Sequence, residues 1–466
     1  MSSATYPLER QPWLMPLLLG TCAAAIAVAP GLPLKLVLAL PTVLLPVAFW
    51  TLKSPGRWIP SFLAAALLLP PLPIALGDSG PHVCLYFAAI GLLAGALWLP
   101  DWRIPHSALN GALAGFFLIL LASVAPAVVL SGGAIAAGSL IRIALLGIAL
   151  YVFFFTAHGP GSVSEPFGAI RALYWIAAAS ALFACVDFYF QFPAPAGYGP
   201  QFVWLGSGVY RRAQGVFYEA STLGNFCAFF LVMIAVCASR PRAQTPVSRK
   251  ALAAGGVVFS TALVLSYSRS SLLNVLTALT VLAWLNRKRI RLARLAGTLG
   301  LIAVTAAILT WKLFPEFLQA YSSRLSTSAQ YLTSANAAVF SGRIASWQIL
   351  VDWMAAHPWQ TLLGIGYKTL PYTTYLGAPV IGDNMYLSLL VETGVLGLTA
   401  LMWLNLAILR SAGRASRATD PGVGFCGTWV LCFWAGQMVQ MLSGDLLTYW
   451  RVLPVYLWVL ALAVRA

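Results

Sequence analysis

Charge is scarce in this chain. Only 9% of its 466 residues are Asp, Glu, Lys or Arg, and 12 of them are acidic. Histidine is rarer still: His82, His106, His158 and His357 stand apart, with no HExxH and no paired spacing that would suit a metal. The seven cysteines (Cys22, Cys84, Cys185, Cys227, Cys237, Cys426 and Cys432) make no CxxC and fall mostly inside apolar runs. That pattern speaks for packing residues and against a disulfide framework or a zinc site. Neither GxSxG nor a P-loop occurs, which excludes the usual serine-hydrolase elbow and the Walker nucleotide cradle. The ten-residue alternation of a membrane β-barrel is absent. The N-terminal stretch Met1–Pro12 is polar, and the first apolar run leads into further runs, so no cleaved leader is expected.

What the chain does have is hydrophobicity, at 60%. Its apolar runs are about 17–25 residues long, the length a helix needs to cross ~30 Å of hydrocarbon. About fourteen such segments can be drawn, with ends uncertain by a few residues, near 13–29, 34–51, 59–76, 83–100, 108–130, 134–156, 168–190, 221–238, 251–267, 270–286, 296–314, 386–409, 425–442 and 448–465. The fold class expected is therefore an all-α polytopic membrane protein with one long, partly helical extramembrane loop. It divides into N-terminal transmembrane helices at 1–191, a transmembrane core carrying outer arginines at 192–314, the large loop at 315–385 and C-terminal transmembrane helices at 386–466.

The formal net charge of +16 would suggest nucleic acid in a soluble chain. Here the excess lies beside spans and reads as topology. Lys53 and Arg57 follow span 2; Arg240, Arg242, Arg249 and Lys250 follow span 8; Arg287, Lys288, Arg289, Arg291 and Arg294 follow span 10; Arg410, Arg414 and Arg417 follow span 12. All are even-numbered exits, so one face collects the positive charge and is cytoplasmic, as are both termini. The other face receives the loop 192–220, the tight break Ser268-Arg269-Ser270, the loop 315–385 and the turn Gly444-Asp445. Long ordered loops usually carry function.

Arginines left on the outer face need a reason, because that face is depleted of them. Arg211 and Arg212 precede span 8, Arg269 sits between spans 9 and 10, and Arg343 lies in the long loop. Each taken alone could snorkel to headgroups. Several at one level suit a bound dianion, since the guanidinium fork grips phosphate oxygens in pairs and stays charged. A diphosphate lipid headgroup meets that demand. Asp383 can act as a general base toward a hydroxyl, or cap the helix that follows it. Asp187 and Glu219 can neutralise the arginines or bind sugar, and Asp445 has similar standing, with Tyr449 and Trp450 as stacking rings. His357 reads as a helix-end residue; Gly364-Ile365-Gly366 is weak evidence for a phosphate loop; Arg142, inside span 6, has no assigned role.

These motifs resemble a known group. Arg212-x-x-Gly215-x-Phe217 before a helix looks like the first signature of the O-antigen ligase and O-antigen polymerase superfamily, and Ser268-Arg269-Ser270 looks like its second. Gly342-Arg343-x-x-x-Trp347, His357-Pro358, Gly364-x-Gly366 and Asp383-Asn384-x-Tyr386-Leu387-x-x-Leu390-x-Glu392-x-Gly394-x-x-Gly397 together look like its third. The resemblance covers roughly residues 200–400. It implies a GT-C-like, metal-independent glycosyltransferase of the bacterial inner membrane, needing no cofactor and working at the periplasmic side. The donor would be a glycan on undecaprenyl diphosphate and the acceptor a sugar hydroxyl of a glycan or of lipid A-core. Partners implied are these lipid-linked glycans, the lipid bilayer and a chain-length regulator, with no nucleic acid. Carried over by residue, Arg212, Arg269 and Arg343 would hold the diphosphate and Asp383 would be catalytic. Arg211, Asp187, Glu219, Asn384, Tyr386, His357 and Asp445 would touch sugar or support these groups. Lipid A-core ligases read His-Asn where this chain reads Asp383-Asn384, a form that resembles the polysaccharide polymerases. A flippase or exporter of an anionic lipid-linked sugar is a competing class, weakened by the one-sided loop and the lack of an evident internal repeat.

Overall fold

The computed structural model describes residues 14–31, 35, 44–72, 81–160, 165–194, 199, 201–287, 292–313, 315–334 and 343–465. Half of the segment expected at 34–51, the basic residues Lys288, Arg289 and Arg291, and Gly342 of the third motif lie outside the described residues.

Helices dominate. In chain order they are α1 (Leu14–Val28), α2 (Trp58–Leu68), α3 (Cys84–Leu97), α4 (Ala108–Ala122), α5 (Val124–Ser131), α6 (Gly133–His158) and α7 (Pro166–Phe190). A hairpin of β1 (Phe202–Leu205) and β2 (Gly208–Arg211) follows, then α8 (Ala220–Ala238), α9 (Arg249–Leu265), α10 (Arg269–Asn286), α11 (Leu292–Leu313) and α12 (Pro315–Ser334). Last come α13 (Arg343–Ala356), α14 (Pro358–Leu363), α15 (Met385–Ala415), α16 (Pro421–Gln440) and α17 (Leu453–Val464). Among the described residues, six helical stretches are long and apolar enough to cross a membrane: Ala108–Ser131, Gly133–His158, Pro166–Phe190, Ala220–Ala238, Met385–Ala415 and Pro421–Ser443. The chain is thus a multi-pass, mostly helical membrane protein.

Local chemistry sets the helix ends. Ser107, Ser248, Ser268, Asn384 and Asp420 each accept a backbone N–H of the turn they open, which satisfies donors that helix geometry leaves orphaned. The segment expected as one span at 108–130 is a single apolar helical stretch, Ala108–Ser131, with a turn at Ser123 where α4 passes into α5. Pro126 explains this: it lacks the N–H that would bond the Ala122 carbonyl, and its ring crowds that carbonyl. The loop expected at 192–220 contains the two-stranded ribbon, Phe202 pairing with Arg211 and Leu205 with Gly208. A lone hairpin is marginal in water. This one is held by Glu316 of α12, whose carboxylate accepts the Ser207 N–H at 2.7 Å, and by Tyr210 and Phe317 packing on Phe188.

The core gathers around α8, which is buried along nearly its whole length. Phe229 stacks on Trp429 at 4.2 Å and packs against Phe433 and Tyr456. Between α8, α10 and α16 lies a buried polar layer: Asn225 and Asn274 both donate to Gln437 and Gln440, and Gln440 donates to Ser271 at 3.0 Å. In a low-dielectric interior such a network fixes the mutual register of the helices it joins. A second, smaller core (Leu350, Trp353, Ile365, Leu370, Val380 and Val391) ties the long loop to the start of α15.

Candidate functional site

The first motif follows β2. Its two arginines diverge. Arg211 is buried and pairs with Asp187 of α7 at 2.7 Å, also donating to the Phe192 carbonyl. Both members of that pair are out of reach of a ligand, so Arg211 and Asp187 support the site from behind. Arg212 turns the other way. Its Nε donates to the Ser266 carbonyl at 2.8 Å, and its guanidinium carbon lies 6.0 Å from the centre of the Tyr267 ring.

That contact joins the first two motifs. Ser266 is three residues before Arg269, which begins α10 behind its cap Ser268. The Ala213 N–H donates to the Leu265 carbonyl at 3.1 Å. Gly224, one turn into α8, passes so close to Ser266, Ser268 and Ser271 that a methyl group there would lie 2.8–2.9 Å from them. Arg212 and Arg269 therefore stand at the same end of the bundle, on neighbouring turns, both partly exposed. Nothing separates them by the thickness of a membrane.

Behind this turn sits a residue that sequence reasoning passed over. Arg451 is 5% exposed. It donates to the carbonyls of Ala66 (2.9 Å), Leu69 (2.8 Å) and Val216, and lies 5.4 Å from the Phe217 ring. It thus ties the first motif to the last turn of α2. A lone arginine in the first turn of an apolar run reads as a snorkelling residue, and nothing local in the sequence marks it otherwise.

The third motif ends where α15 begins. Asn384, not Asp383, caps α15: its side chain accepts the N–H groups of Tyr386 and Leu387, both at 3.1 Å. Asp383 has φ +44, a left-handed conformation in which its carboxylate swings away from the helix. It accepts from Arg343 Nε at 3.0 Å, with both side chains partly exposed. The capping alternative for Asp383 is removed, and Arg343 is placed on Asp383. Trp347 reinforces this join by donating to the Gly382 carbonyl at 2.6 Å. Tyr386 donates to the Met438 carbonyl of α16, and His357 stacks on Trp353 with Nδ1 3.0 Å from its carbonyl. Both are anchors of the scaffold.

Nearby, carboxyl groups collect around a lysine. Lys368, 8% exposed with φ +57, pairs with Asp445. Glu392 and Glu219 also add to its field. Glu219, at the cap position of α8, accepts from Ser221 at 2.8 Å. Loss of water pushes its carboxyl above the usual glutamate range, and the charges of Asp383 and Asp445 add to the push. Asp445, Glu392 and Glu219, three of the chain's 12 acidic residues, thus share one locality with Lys368. Lys368 was missed because a single lysine in a polar loop reads as solvated. Among the described residues, no group of three or more His, Cys, Asp and Glu side chains is placed to hold a metal ion.

Two further readings change. Gly364 and Gly366 do not form a phosphate loop. The helix α15 kinks at Gly394 (φ +71), which frees the carbonyls of Val391 and Glu392 to accept from Ile365 (3.2 Å) and Gly366 (2.7 Å). The glycines let two backbones approach. Arg142 gains a partner: its guanidinium lies 4.4 Å from the Tyr372 ring centre. A cavity of about 650 Å³ beside His106, Asn110 and Phe154 contains none of the residues above.

The geometry thus offers two arginines on adjoining turns, and a carboxyl cluster near the helix that joins them. Comparison with known proteins adds one match. Residues 254–402 fit a family model described as O-antigen ligase. The match takes in the second and third motifs and begins after Arg212. No curated protein matches the chain.

Proposed function

Since the chain carries this domain and belongs to the O-antigen ligase superfamily, we propose that it is a membrane glycosyltransferase taking a glycan from undecaprenyl diphosphate to a sugar hydroxyl at the periplasmic face. In this reading about fourteen helices span the inner membrane in a GT-C-like arrangement, with both termini cytoplasmic. The observation that carries it is the contact of Arg212 with the Ser266 carbonyl, which sets two motif arginines on adjoining turns. Developing charge on the leaving diphosphate would meet preorganised guanidinium groups, and removing one such donor typically costs ~10²–10³ in rate. Asp383, held by Arg343, would orient the acceptor hydroxyl and take its proton. Because the donor arrives activated, the chemistry as drawn needs no cofactor.

Polymerisation of repeat units is the first reading, supported by Asp383-Asn384 in place of His-Asn. Transfer to lipid A-core is the second, favoured by the description of the matching family. Deletion in the native host separates them: single repeats on carrier or core mean a polymerase was lost, and long chains left on the carrier mean a ligase was lost. The donor site is tested in liposomes with a polyprenyl-diphosphate-linked oligosaccharide. Arg212→Ala and Arg269→Ala should each lose glycan transfer by ~10²-fold or more while remaining folded, and lysine at either position should rescue poorly because the fork is gone. Full turnover in both alanine variants would refute the assignment.

A further inference from the structure

The long loop does not stay above the helices. Three contacts measure how far down it reaches. Just past the end of α4, the Tyr367 N–H donates to Ser123 Oγ at 3.1 Å, 15 residues above the first residue, Ala108. On α6, Tyr372 stacks over Arg142, 16 residues above the inner end at His158. On α15, the Leu362 carbonyl abuts Gly394, 16 residues above Arg410. At 1.5 Å per residue these heights are about 22–24 Å, short of the ~30 Å of a hydrocarbon core. Three separate helices thus agree on a depth a few ångströms inside the outer leaflet.

Burial along the loop fits that depth. Irregular backbone is tolerated in hydrocarbon only where protein covers it, and residues 364–370 are all buried. The short helix α14 just before them is different. Its backbone polar groups bond within the turn, and it exposes Trp359 (74%), Leu362 (44%) and Leu363 (63%). The Leu362 carbonyl abuts Gly394, and the next two residues of α15, Val395 and Leu396, are also exposed and apolar. Trp359, at the start of the descent, has the residue type that favours the headgroup boundary.

We propose that residues 358–373 form a re-entrant element in the outer leaflet, with Trp359, Leu362 and Leu363 against lipid acyl chains. The buried stretch behind them carries Lys368 down to Asp445, so the bilayer and the charged cluster are linked by one short segment. This proposal rests on the orientation given above, but not on the chemistry assigned there, and the two are tested separately.

It is tested on the full-length protein in liposomes by nitroxide labels on Leu363→Cys, with Leu396→Cys as the lipid reference and Asp352→Cys as the aqueous one; signal from the unsubstituted protein is subtracted to remove native thiols. The expected result is that the label at 363 matches 396: high collision with oxygen, and collision with an aqueous nickel complex several-fold below that at 352. Nickel access equal to that at 352 overturns the proposal, because the helix then lies in water. Shielding from both probes overturns it in favour of a protein partner. Nickel protection that appears only when undecaprenyl diphosphate is added overturns it in favour of the carrier's own tail.

Discussion

At Lys368 an ammonium in a nearly closed site faces Asp445, with Glu392 and Glu219 close behind. Lys368→Met would leave these carboxyl groups without their cation. Breaking a buried pair from one side typically costs about 3–5 kcal/mol, so the variant should melt well below the parent in detergent. Adding Asp445→Asn should recover part of the loss; no recovery would mean that the lysine acts by packing alone. Glu219 sets a pH dependence. Its carboxyl titrates above the ordinary ~4.3 of an unfolded glutamate. Between that value and its raised folded value, the folded state holds more proton than the unfolded one, so stability falls as pH rises through the window. Glu219→Gln removes this penalty. Its stability relative to wild type should grow from acid to neutral pH in thermal unfolding, and a constant difference would count against the burial argument. At this scale sequence reasoning left alternatives open for single side chains, and the geometry distinguishes between them. Arg211 and Arg212 are adjacent and chemically identical, and only the strand's alternation sends one inward to Asp187. Asp383 and Asn384 are equally good caps by type, and the left-handed turn at Asp383 decides between them.

At the scale of elements, apolar runs located the helices, while their interruptions were harder to see. Pro126 was legible as a breaker in principle, yet hydropathy averages across it and shows one span. The hairpin at 202–211 was read as loop because its strands are only four residues each and lean on α7 and α12 for support. The kink at Gly394 left no trace in hydropathy, since residues on both sides are apolar. Its role can be tested directly. Gly394→Ala would put a methyl group into the Leu362 carbonyl at a positive φ, and strain of that kind costs about 1–3 kcal/mol. Faster hydrogen exchange at Ile365 and Gly366 is the expected readout. Unchanged protection there would show that the kink does not hold the loop.

The whole molecule follows from where charge was permitted. Basic residues at the expected even-numbered exits leave the motifs to the other helix ends, and the first two motifs meet beside the start of α8. A membrane-impermeant thiol reagent added to intact cells with a permeabilised outer membrane should label Ser207→Cys at the hairpin tip and spare Thr419→Cys beyond α15. The reverse pattern would invert the orientation. What hydropathy could not convey is depth: residues 364–370 are mixed in polarity and fall inside the segment expected as loop, although their neighbours Arg142 on α6 and Gly394 on α15 lie about nine residues below the outer ends of those helices.

Because Gly394 opens α15 to the Ile365 and Gly366 amides, the loop and the helix are stitched rather than hinged. Chimeras exchanging specificity among relatives would therefore fail if cut at the apparent loop boundary near residue 385. A workable graft must carry the donor's sequence through Gly397, and matching surfaces at Ser123, Ala127 and Arg142, or the transplanted piece arrives without its seam.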